Sequence, residues 1–204
     1  MRIGGLTREL PLGDWVNLPG RHNLVNAAAA TCAALVAGAE PDDIRRGLQG
    51  FTGLPHRLQR VTEIAGRTFY NDSLATTPES VEVAVAAFRR PVVLLAGGYD
   101  KQLPLAGLAE TIRHNVKAVA LMGQTACDLQ RLLGQFSGGP DRSVCDSLEA
   151  AFDWAVERTE PGDAILLSPG CASYDWFTSF RERGEAFEKL ARDWQPGSMA
   201  GRSA

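Results

Sequence analysis

The chain has 204 residues, of which 45% are hydrophobic and 22% are charged, as in an ordinary globular protein. The formal net charge of -3 gives no reason to expect binding to nucleic acid or to an anionic membrane surface. The sequence contains no apolar run of about 18 residues, and its start, MRIGGLTREL, lacks the apolar stretch of a signal peptide. We therefore expect a cytosolic protein without membrane insertion.

The first 53 residues are predicted to form a helical appendage. Residues 24–37 make an alanine-rich helix, which Gly38 ends. Residues 41–51 make a second, shorter helix with two aspartates in its first turn. The sequence GLPH at 53–56 then interrupts this pattern and marks the start of a different organisation.

Beyond residue 56, predicted strands alternate with predicted helices. The first two strands, at 58–64 and 67–71, are joined by Ala-Gly and form a hairpin. Further strands are predicted at 91–98, 116–123, 142–145 and 164–170, and helices at 78–89, 105–114, 124–134, 147–158 and 177–194. Continuous apolar strands between amphipathic helices indicate a mainly parallel sheet with helices on both faces. We therefore predict a doubly wound, Rossmann-like α/β domain over 54–195 and a disordered tail over 196–204.

A polar segment joins the second predicted strand to the helix that follows it. In this segment, NDSLATTPES at 71–80, the Thr77-Pro78 pair predicts the N-cap and the first residue of a helix. Thr76 and Glu79 have the spacing of a capping box. Capping explains these four residues but not the Asn-Asp-Ser at the strand end, so a binding role for the segment stays open. Ligands bind at the carboxyl ends of the strands in such sheets.

Two further loops follow predicted buried strands. In GGYDK, which ends at Lys101, paired glycines let the backbone approach a ligand and the lysine suits a phosphate or carboxylate. A glycine-rich turn with a solvated lysine is the alternative. In SPGCAS, at 168–173, backbone N–H groups before a helix form either an anion site or only a tight turn. The chain contains neither a Walker A loop nor a GxGxxG motif.

The four cysteines form no CxxC pair and no zinc-binding pattern with the three histidines, so no metal ligand is predicted. We interpret Cys32, Cys127, Cys145 and Cys171 as buried thiols. Cys171 lies in the last of the loops above, but no base with a known motif accompanies it. The sequence therefore disfavours nucleophilic catalysis by this thiol.

Two asparagines lie about one turn apart where the first helix begins. Asn23 and Asn26 would present their side-chain amides on neighbouring turns. Amides match the hydrogen-bonding edge of adenine, as they do in DNA recognition. Helix capping alone could explain Asn23.

Taken in order, five motifs resemble the Mur ligase family over residues 19–191. They are GRHNLVNA, FTGLPHRLQ, NDS after a strand, GGYDK, and LLSPGCASYDWFTSFRERGEAF. The resemblance is strongest to the C-terminal portion of the MurD-type branch, which adds glutamate to UDP-N-acetylmuramoyl-L-alanine in peptidoglycan synthesis. It implies an ATP- and Mg2+-dependent amide-bond ligase, in which the amine of glutamate displaces phosphate from an acyl phosphate. Such chemistry needs oriented cations and dipoles more than a covalent nucleophile.

The resemblance also implies roles for eight residues, carried over position by position. The residues implied to contact ATP are Asn23 and Asn26 at the adenine, Arg57 at the nucleotide and Asp72 at the ribose. The residues implied to hold the incoming glutamate are Thr76, Lys101, Ser173 and Phe180. The family's P-loop, magnesium carboxylates, carbamylated lysine and UDP-binding domain are missing from the sequence. We therefore expect 1–53 to be the tail of the ATP-binding central domain, 54–195 to be the glutamate-binding domain, and the chain alone to be inactive.

One departure from the family concerns the stereochemistry of the substrate. Most members have lysine where this chain has Leu74, and that lysine helps to bind the side chain of D-glutamate. Losing a cation beside a carboxylate removes about 1.5–3 kcal/mol of charge-assisted hydrogen bonding. The segment 71–80 is similar to that of a variant branch that adds L-glutamate, so L-glutamate is the expected substrate.

Two alternatives stay open. One is a folylpolyglutamate- or cyanophycin-type ligase of the same superfamily, which is disfavoured because those branches carry an Asp-Tyr-Ala-His-type motif where this chain has residues 71–73. The other is a non-catalytic α/β module that binds a nucleotide, which the missing P-loop favours. Such a module need not keep residues from both halves of a two-substrate site, and this chain keeps both.

Overall fold

The computed structural model of the chain describes residues 2–3, 6–7, 9–18 and 20–197. These divide into two compact units, with the boundary between Gly53 and Leu54. The elements of the first unit are the antiparallel strands β1 (Arg2–Ile3) and β2 (Leu6–Thr7), and the helices α1 (Leu12–Trp15), α2 (Arg21–Val36) and α3 (Pro41–Gly50). The sequence predicts α2 and α3, whereas the other three elements are too short to show a periodic pattern.

A glycine determines where α2 ends. Gly38 has a φ of 91°, and the N–H groups of Gly38 and Ala39 donate to the carbonyls of Leu35 and Ala34 at 3.1 and 2.9 Å. This pair of bonds is a Schellman motif, which ends a helix where glycine adopts the left-handed conformation. The predicted end of the helix at Gly38 is confirmed.

The second unit is a six-stranded sheet with helices on both faces. Its strands are β3 (Gln59–Ile64), β4 (Arg67–Asn71), β5 (Val92–Gly97), β6 (Ala118–Met122), β7 (Asp141–Cys145) and β8 (Ala164–Leu167). Its helices are α4 (Pro78–Val85), α5 (Ala106–Asn115), α6 (Ala126–Gly134), α7 (Leu148–Glu157) and α8 (Phe180–Asp193). The strand order is β3-β4-β8-β5-β6-β7, in which β3 pairs antiparallel with β4 and all other neighbours are parallel. The predicted doubly wound α/β fold is confirmed.

Alternate residues of the central strands face two separate hydrophobic cores. On β5, Val92, Leu94 and Ala96 face the core that contains α4, α5 and α6, whereas Val93 and Leu95 face the core that contains α7 and α8. Each of these five side chains is at most 2% exposed. Burial on both faces explains why the strands are continuous apolar runs in the sequence.

The predicted hairpin is confirmed, and several predicted boundaries are wrong by a few residues. The β3–β4 turn consists of Ala65 and Gly66, whose φ values of 50° and 74° are both positive, as in type I′ turns. The last helix begins at Phe180 rather than 177 because Ser179 is its N-cap and accepts a hydrogen bond from Glu182 N at 3.2 Å.

Two further differences from the predicted boundaries concern the end of α4 and the C-terminal tail. α4 ends at Val85 rather than 89, where the chain turns towards β5. Of the predicted disordered tail, residues 196–197 form a turn, and the remainder lies outside the described residues. Among the helices that the structure describes, none combines the length and the apolar composition that crossing a membrane requires.

The strand order places three loops side by side. β8 lies between β4 and β5, so that the carboxyl ends of these three strands are neighbours. The chain runs from β5 outward to β6 and β7, and then returns to the opposite side of β5 as β8. This reversal makes the β5–β8 junction a topological switch point, where doubly wound sheets bind their ligands.

Candidate functional site

Three loops meet at the carboxyl edge of the sheet, and we call the segments 71–77, 97–105 and 168–179 the rim. Backbone hydrogen bonds join these segments to one another. As donor and acceptor, the bonds are Gly170 N to Ala75 O (2.9 Å), Gly97 N to Pro169 O (2.8 Å) and Tyr99 N to Ala172 O (2.9 Å). The rim contains the three polar segments that the sequence analysis selected, so the fold brings all three together.

A small pocket opens between the rim segments. Its lining residues are Thr76, Tyr99, Asp100, Lys101, Leu103, Leu105, Thr125, Gly170 and Cys171. The Lys101 side chain is exposed, and its Nζ lies 3.5 Å from the Thr76 carbonyl, at the outer limit of a hydrogen bond. The ammonium group is therefore weakly held within the chain and is available to an anion that enters the pocket.

The other two residues implied to hold glutamate lie on or next to the rim but not among the residues that line this pocket. Ser173 is 2% exposed, and its carbonyl accepts hydrogen bonds from Phe177 N at 2.8 Å and Trp176 N at 3.2 Å. Phe180 is half-buried at the start of α8, and its carbonyl accepts from Ser73 Oγ at 2.8 Å. Two of the four implied glutamate contacts thus share a pocket, and the other two belong to the chain segment that follows β8.

Asp72 lies directly after β4 and is 5% exposed. One carboxylate oxygen accepts from Leu58 N at 3.0 Å, and the other accepts from Ser168 Oγ at 2.7 Å. Burial raises the pKa of this carboxyl to about 6, although the hydrogen bonds from Ser168 and Leu58 and the guanidinium of Arg57 lower it. Asp72 thereby ties the turn 54–58 to the ends of β4 and β8, a structural role that the sequence analysis did not assign.

Arg57 lies in the same turn with its side chain exposed. Within the part of the chain that the structure describes, its guanidinium makes no hydrogen bond and no ion pair. It is nevertheless near enough to Asp72 to affect the pKa of that carboxyl. An exposed guanidinium with unused donors suits a phosphate or another anion.

The two asparagines lie in the first unit, on the first two turns of α2. Asn23 is half-buried and Asn26 is exposed. The N-cap of α2 is Gly20, so the helix begins three residues earlier than predicted and Asn23 lies inside it. N-capping therefore does not explain Asn23.

A buried polar network beneath the rim was not predicted. His56 is 8% exposed, and its Nδ1 lies 2.9 Å from Asn71 Nδ2, which also donates to Glu188 Oε1 at 2.9 Å and Gly184 O at 3.2 Å. Ser73 N donates to Asn71 Oδ1 at 3.0 Å, which assigns the orientation of the amide. The two amide hydrogens of Asn71 are shared among these three neighbours, so the network joins the turn at His56 to α8.

The imidazole of His56 packs directly against a glycine of α8. A Cβ at Gly184 would overlap the Nδ1 of His56 and would lie 2.9 Å from Asn71 Nδ2. Glycine is required here although it weakens a helix by about 1 kcal/mol relative to alanine. A glycine in the middle of a predicted helix is the sequence signal that could have revealed this contact.

Arg183 is a buried cation that the sequence analysis also missed. It is 2% exposed, and its guanidinium donates to Ser73 Oγ (2.9 Å), Ser73 O (3.0 Å), Ala172 O (3.0 Å) and Cys171 O (3.1 Å). Burial lowers the pKa of this guanidinium to about 10, so it stays charged at neutral pH. Arg183 therefore holds the loop after β4 to the loop after β8.

The capping-box prediction at Thr76 and Glu79 is wrong. The N-cap of α4 is Thr77, one residue later, and its side chain makes no capping bond. Its hydroxyl instead lies 3.0 Å from the hydroxyl of Ser80. Thr76 is thus released from helix capping and lines the pocket, while Pro78 occupies the first helical position as predicted.

The prediction of four buried thiols is confirmed for two cysteines and wrong for the other two. Cys145 and Cys171 are buried, whereas Cys32 is half-buried and Cys127 is exposed. Burial raises the pKa of the Cys171 thiol, and its Sγ lies 3.5 Å from Thr125 Oγ1. The thiol at the pocket is therefore neutral, which agrees with the expectation that it is not a nucleophile.

A family model described as Mur ligase, glutamate ligase domain matches residues 56–171, more than half of the chain. The chain belongs to the Mur ligase family. The matched range includes Arg57, Asp72, Thr76 and Lys101, and it ends at Cys171 on the rim. The resemblance that the five motifs indicate is therefore confirmed at the level of the family.

Curated members of this Mur ligase family are similar over most of the chain. A UDP-N-acetylmuramoylalanine--D-glutamate ligase from Geobacillus kaustophilus is 48% identical over 171 residues, which are 83% of this chain and 38% of that protein. A ligase of the same name from Caldanaerobacter subterraneus is 43% identical over 179 residues, which are 87% of this chain and 40% of that protein. The chain spans about two fifths of the length of these relatives.

Solved Mur ligase and folylpolyglutamate synthase structures share the fold at low sequence identity. UDP-N-acetylmuramate-alanine ligase MurC from Thermotoga maritima superimposes with a TM-score of 0.66 at 14% identity, over 87% of this chain and 39% of that one. Folylpolyglutamate synthase from Mycobacterium tuberculosis, complexed with ADP and AMPPCP, gives 0.62 at 18% identity, over 84% and 41%. These similarities concern the fold alone.

Proposed function

We propose that the chain is the glutamate-binding part of an ATP-dependent ligase that joins glutamate to UDP-N-acetylmuramoyl-L-alanine in peptidoglycan synthesis. The names of the relatives support this substrate class. The observation that carries the proposal is the pocket at the switch point of the sheet, where Lys101 and Thr76 come together. There an exposed ammonium group, with one long contact to a described residue, lines a small pocket together with apolar side chains such as Leu103 and Leu105.

Glutamate brings two carboxylates and one amine to such a site. In the proposal, Lys101 binds a carboxylate with a charge-assisted hydrogen bond worth about 1.5–3 kcal/mol. Thr76, Ser173 and Phe180 supply the remaining contacts and orient the amine. The amine nitrogen then attacks the carbonyl carbon of the acyl phosphate, the carbon–oxygen bond to phosphate breaks, and the nitrogen loses a proton. Fixing the amine beside the carbonyl removes much of the entropic barrier of a bimolecular reaction.

ATP supplies the phosphoryl group that activates the substrate carboxylate. Arg57 fits this ligand because its exposed guanidinium has unused donors for a phosphate. Asp72 is more constrained, since both of its oxygens already accept hydrogen bonds, and only their second lone pairs remain for a ribose hydroxyl. Asn23 and Asn26 are proposed as the adenine contacts.

No magnesium ligand is assigned to this chain. Among the described residues, no three histidine, cysteine or acidic side chains converge to form a cation site. In the proposal the Mg2+ ligands belong mostly to the part of the enzyme that carries the P-loop. No step of the mechanism is therefore assigned to a metal held by these residues.

The assignment of the two segments completes the proposal. Residues 1–53 are proposed as the tail of the ATP-binding domain, and 54–195 as the glutamate-binding domain. The chain then carries only part of the catalytic machinery, so the purified 204-residue protein should release no phosphate from ATP when glutamate is added. Sustained glutamate-dependent phosphate release would contradict this assignment.

We further propose that the substrate is L-glutamate, on the basis of Leu74 and of the resemblance of segment 71–80 to the L-glutamate branch, although the relatives are named for D-glutamate. Leu74 is half-buried, its N–H donates to His56 O at 3.0 Å, and its side chain is apolar where most of the family has lysine. The enzyme that contains this chain should incorporate L-glutamate in preference to the D-isomer. A strict preference for D-glutamate would refute this assignment and leave the ligase proposal intact.

A lysine substitution tests the glutamate pocket directly. Lys101→Met removes the ammonium and keeps most of the aliphatic stem, so the dissociation constant for glutamate should rise about 10- to 100-fold. Lys189→Met, at an exposed position on α8, is the matched control and should leave the constant unchanged. The measurement is an NMR titration of the 204-residue chain with each glutamate isomer. Equal affinities of Lys101→Met and the unsubstituted protein would contradict the proposal.

A further inference from the structure

Thr125 occupies the N-cap position of α6, yet its hydroxyl does not cap the helix. A threonine at this position normally accepts a hydrogen bond from an N–H group of the first helical turn. Here Thr125 Oγ1 instead accepts from Gly98 N at 3.1 Å and donates to Gly98 O at 3.2 Å. The start of α6 therefore lacks a side-chain cap. The hydroxyl instead hydrogen-bonds to the backbone of a residue that is 27 positions away in the sequence.

Gly98 directly follows β5 and begins the loop that leads to Lys101. It has a φ of 152°, and a Cβ at this position would overlap the carbonyl oxygen of Ala172. The next residue, Tyr99, donates its N–H to the same carbonyl at 2.9 Å. The direction in which the chain continues to Lys101 therefore depends on how the backbone of Gly98 is held.

The surroundings of the Thr125 hydroxyl fix it in one arrangement. Thr125 is 2% exposed, and Cys171 Sγ lies 3.5 Å from Oγ1. The hydroxyl donates to Gly98 O, which also accepts from Thr125 N at 3.1 Å, and the hydroxyl oxygen accepts from Gly98 N. Every polar group of this cluster thus has a partner, so the cluster is rigid.

We propose that Thr125 is a positioning residue for substrate recognition, which fixes Gly98 so that the ammonium of Lys101 is held beside Thr76 in the pocket. The inference rests on the proposed function of that pocket. Thr125 lines the pocket itself, but its hydroxyl is fully engaged with the protein, so it acts through the loop and not by binding the ligand.

Three substitutions in the 204-residue chain separate this role from a general effect on stability. Thr125→Val keeps the shape and removes the hydroxyl, so the dissociation constant for glutamate should rise about 10-fold. Thr125→Ser keeps the hydroxyl and should stay within about threefold of the unsubstituted protein. Thr159→Val is the control, because Thr159 is also buried and also loses two hydroxyl bonds, to Val156 O and from Arg67 Nε, at the opposite edge of the sheet. It should lower stability and leave glutamate affinity unchanged.

A second measurement reports on the loop without any ligand. Amide hydrogen exchange at Gly98 should accelerate about 10-fold or more in Thr125→Val, because its N–H loses its acceptor, and should be preserved in Thr125→Ser. The amide of Gly97 is the internal reference, since it donates to Pro169 O and not to Thr125. If the valine variant does not fold, Thr125→Ala offers a second side chain without a hydroxyl.

The outcomes distinguish the inference from the proposal on which it rests. Faster exchange at Gly98 together with weaker glutamate binding in the variants without a hydroxyl supports the positioning role. Unchanged exchange at Gly98, or faster exchange with unchanged glutamate affinity, overturns it. If the unsubstituted chain and Lys101→Met both fail to bind glutamate, the proposed function of the pocket fails, and the ligand role of Thr125 fails with it.

Discussion

The two edges of the parallel sheet lie at the amino ends and at the carboxyl ends of its strands, and they differ in whether buried charged side chains are paired with opposite charges. At the amino edge, Asp163 is 4% exposed and accepts from Lys117 Nζ at 2.7 Å and Glu160 N at 2.9 Å. At the carboxyl edge, Asp72 and Arg183 are similarly buried, but among the described residues each hydrogen-bonds only to neutral groups. The amino edge therefore pairs its charges with one another, whereas the carboxyl edge leaves buried charges without a countercharge in contact.

This difference has a physical consequence for binding. A charge that is already paired attracts a charged ligand only weakly. An unpaired charge keeps its electric field at the site, and the polar groups around it are already oriented towards a charge. The cost is stability, because burying an unpaired charge is unfavourable. Locally destabilising features such as these buried, unpaired charges are expected at functional sites. The comparison between the two edges thus supports the carboxyl edge as the site, and three substitutions test it.

The largest expected effect is at Arg183. Arg183→Met removes four hydrogen bonds and leaves the buried carbonyls of Ser73, Cys171 and Ala172 without this donor, so the free energy of unfolding should fall by about 4 kcal/mol. Urea denaturation followed by circular dichroism measures the change. Arg131→Met is the control, because Arg131 forms an exposed ion pair with Asp128 and its loss should cost less than about 1 kcal/mol. Similar losses in both variants would mean that Arg183 does not hold the rim together.

The second effect concerns the pH dependence of stability at Asp72. Its pKa rises from 3.8 in the unfolded chain to about 6 in the folded one, so folding favours the protonated acid. The contribution of Asp72 to the free energy of unfolding is fully present below pH 3.8 and is lost as the pH rises through 6, a change of about 3 kcal/mol. Asp72→Asn cannot titrate, and its amide can accept from Leu58 N through oxygen and donate to Ser168 Oγ through nitrogen. Its stability relative to the unsubstituted protein should therefore increase by that amount between pH 3.5 and 7.

Urea titrations of both proteins at several pH values measure this difference. The contributions of all other titrating groups cancel when the two curves are subtracted, provided that the groups do not interact with Asp72. A difference that stays constant over the pH range, or that changes in the opposite direction, would show that the carboxyl is ionised in the fold at acidic pH.

The smallest expected effect comes from replacing a glycine by alanine in each of two helices, α8 and α5. Gly184→Ala should destabilise the protein by about 2 kcal/mol, because the new methyl group collides with the imidazole of His56. Gly107→Ala, in α5, meets no atom within 4 Å and should stabilise it by about 0.5 kcal/mol through helix propensity. Thermal unfolding of the two variants provides the test. Stabilisation in both would show that His56 does not pack against α8 as described.

Local features of the sequence were sufficient to predict most of the elements. The hairpin followed from Ala65-Gly66, the end of α2 from Gly38, and the strands from apolar runs that are buried on both faces. Each depends on residues that are neighbours in the chain. The short elements of the first unit lack such a signal. At α4 the predicted N-cap Thr77, followed by Pro78, is confirmed, whereas the capping box at Thr76 is not formed.

The site itself could be predicted only in part. The position of the rim segments is predictable because polar segments follow apolar strands, and the family match confirms the resemblance that the motifs indicate. Their side-chain environments could not be predicted from the sequence. The network of His56, Asn71 and Glu188 joins residues up to 132 positions apart, and nothing in the periodicity of any one element indicates which polar residue will be buried against another.

By itself, the sequence determined the alternation of strands and helices, the presence of two differently built segments, and the family. Only the tertiary structure decided that β8 is inserted between β4 and β5, and with it that Thr76, Lys101 and Thr125 line one pocket. The physical reason is that hydrophobic periodicity reports which face of an element is buried but not which element buries it. Strand order, the burial of Arg183 and the uncapped start of α6 depend on packing between residues that are distant in the chain.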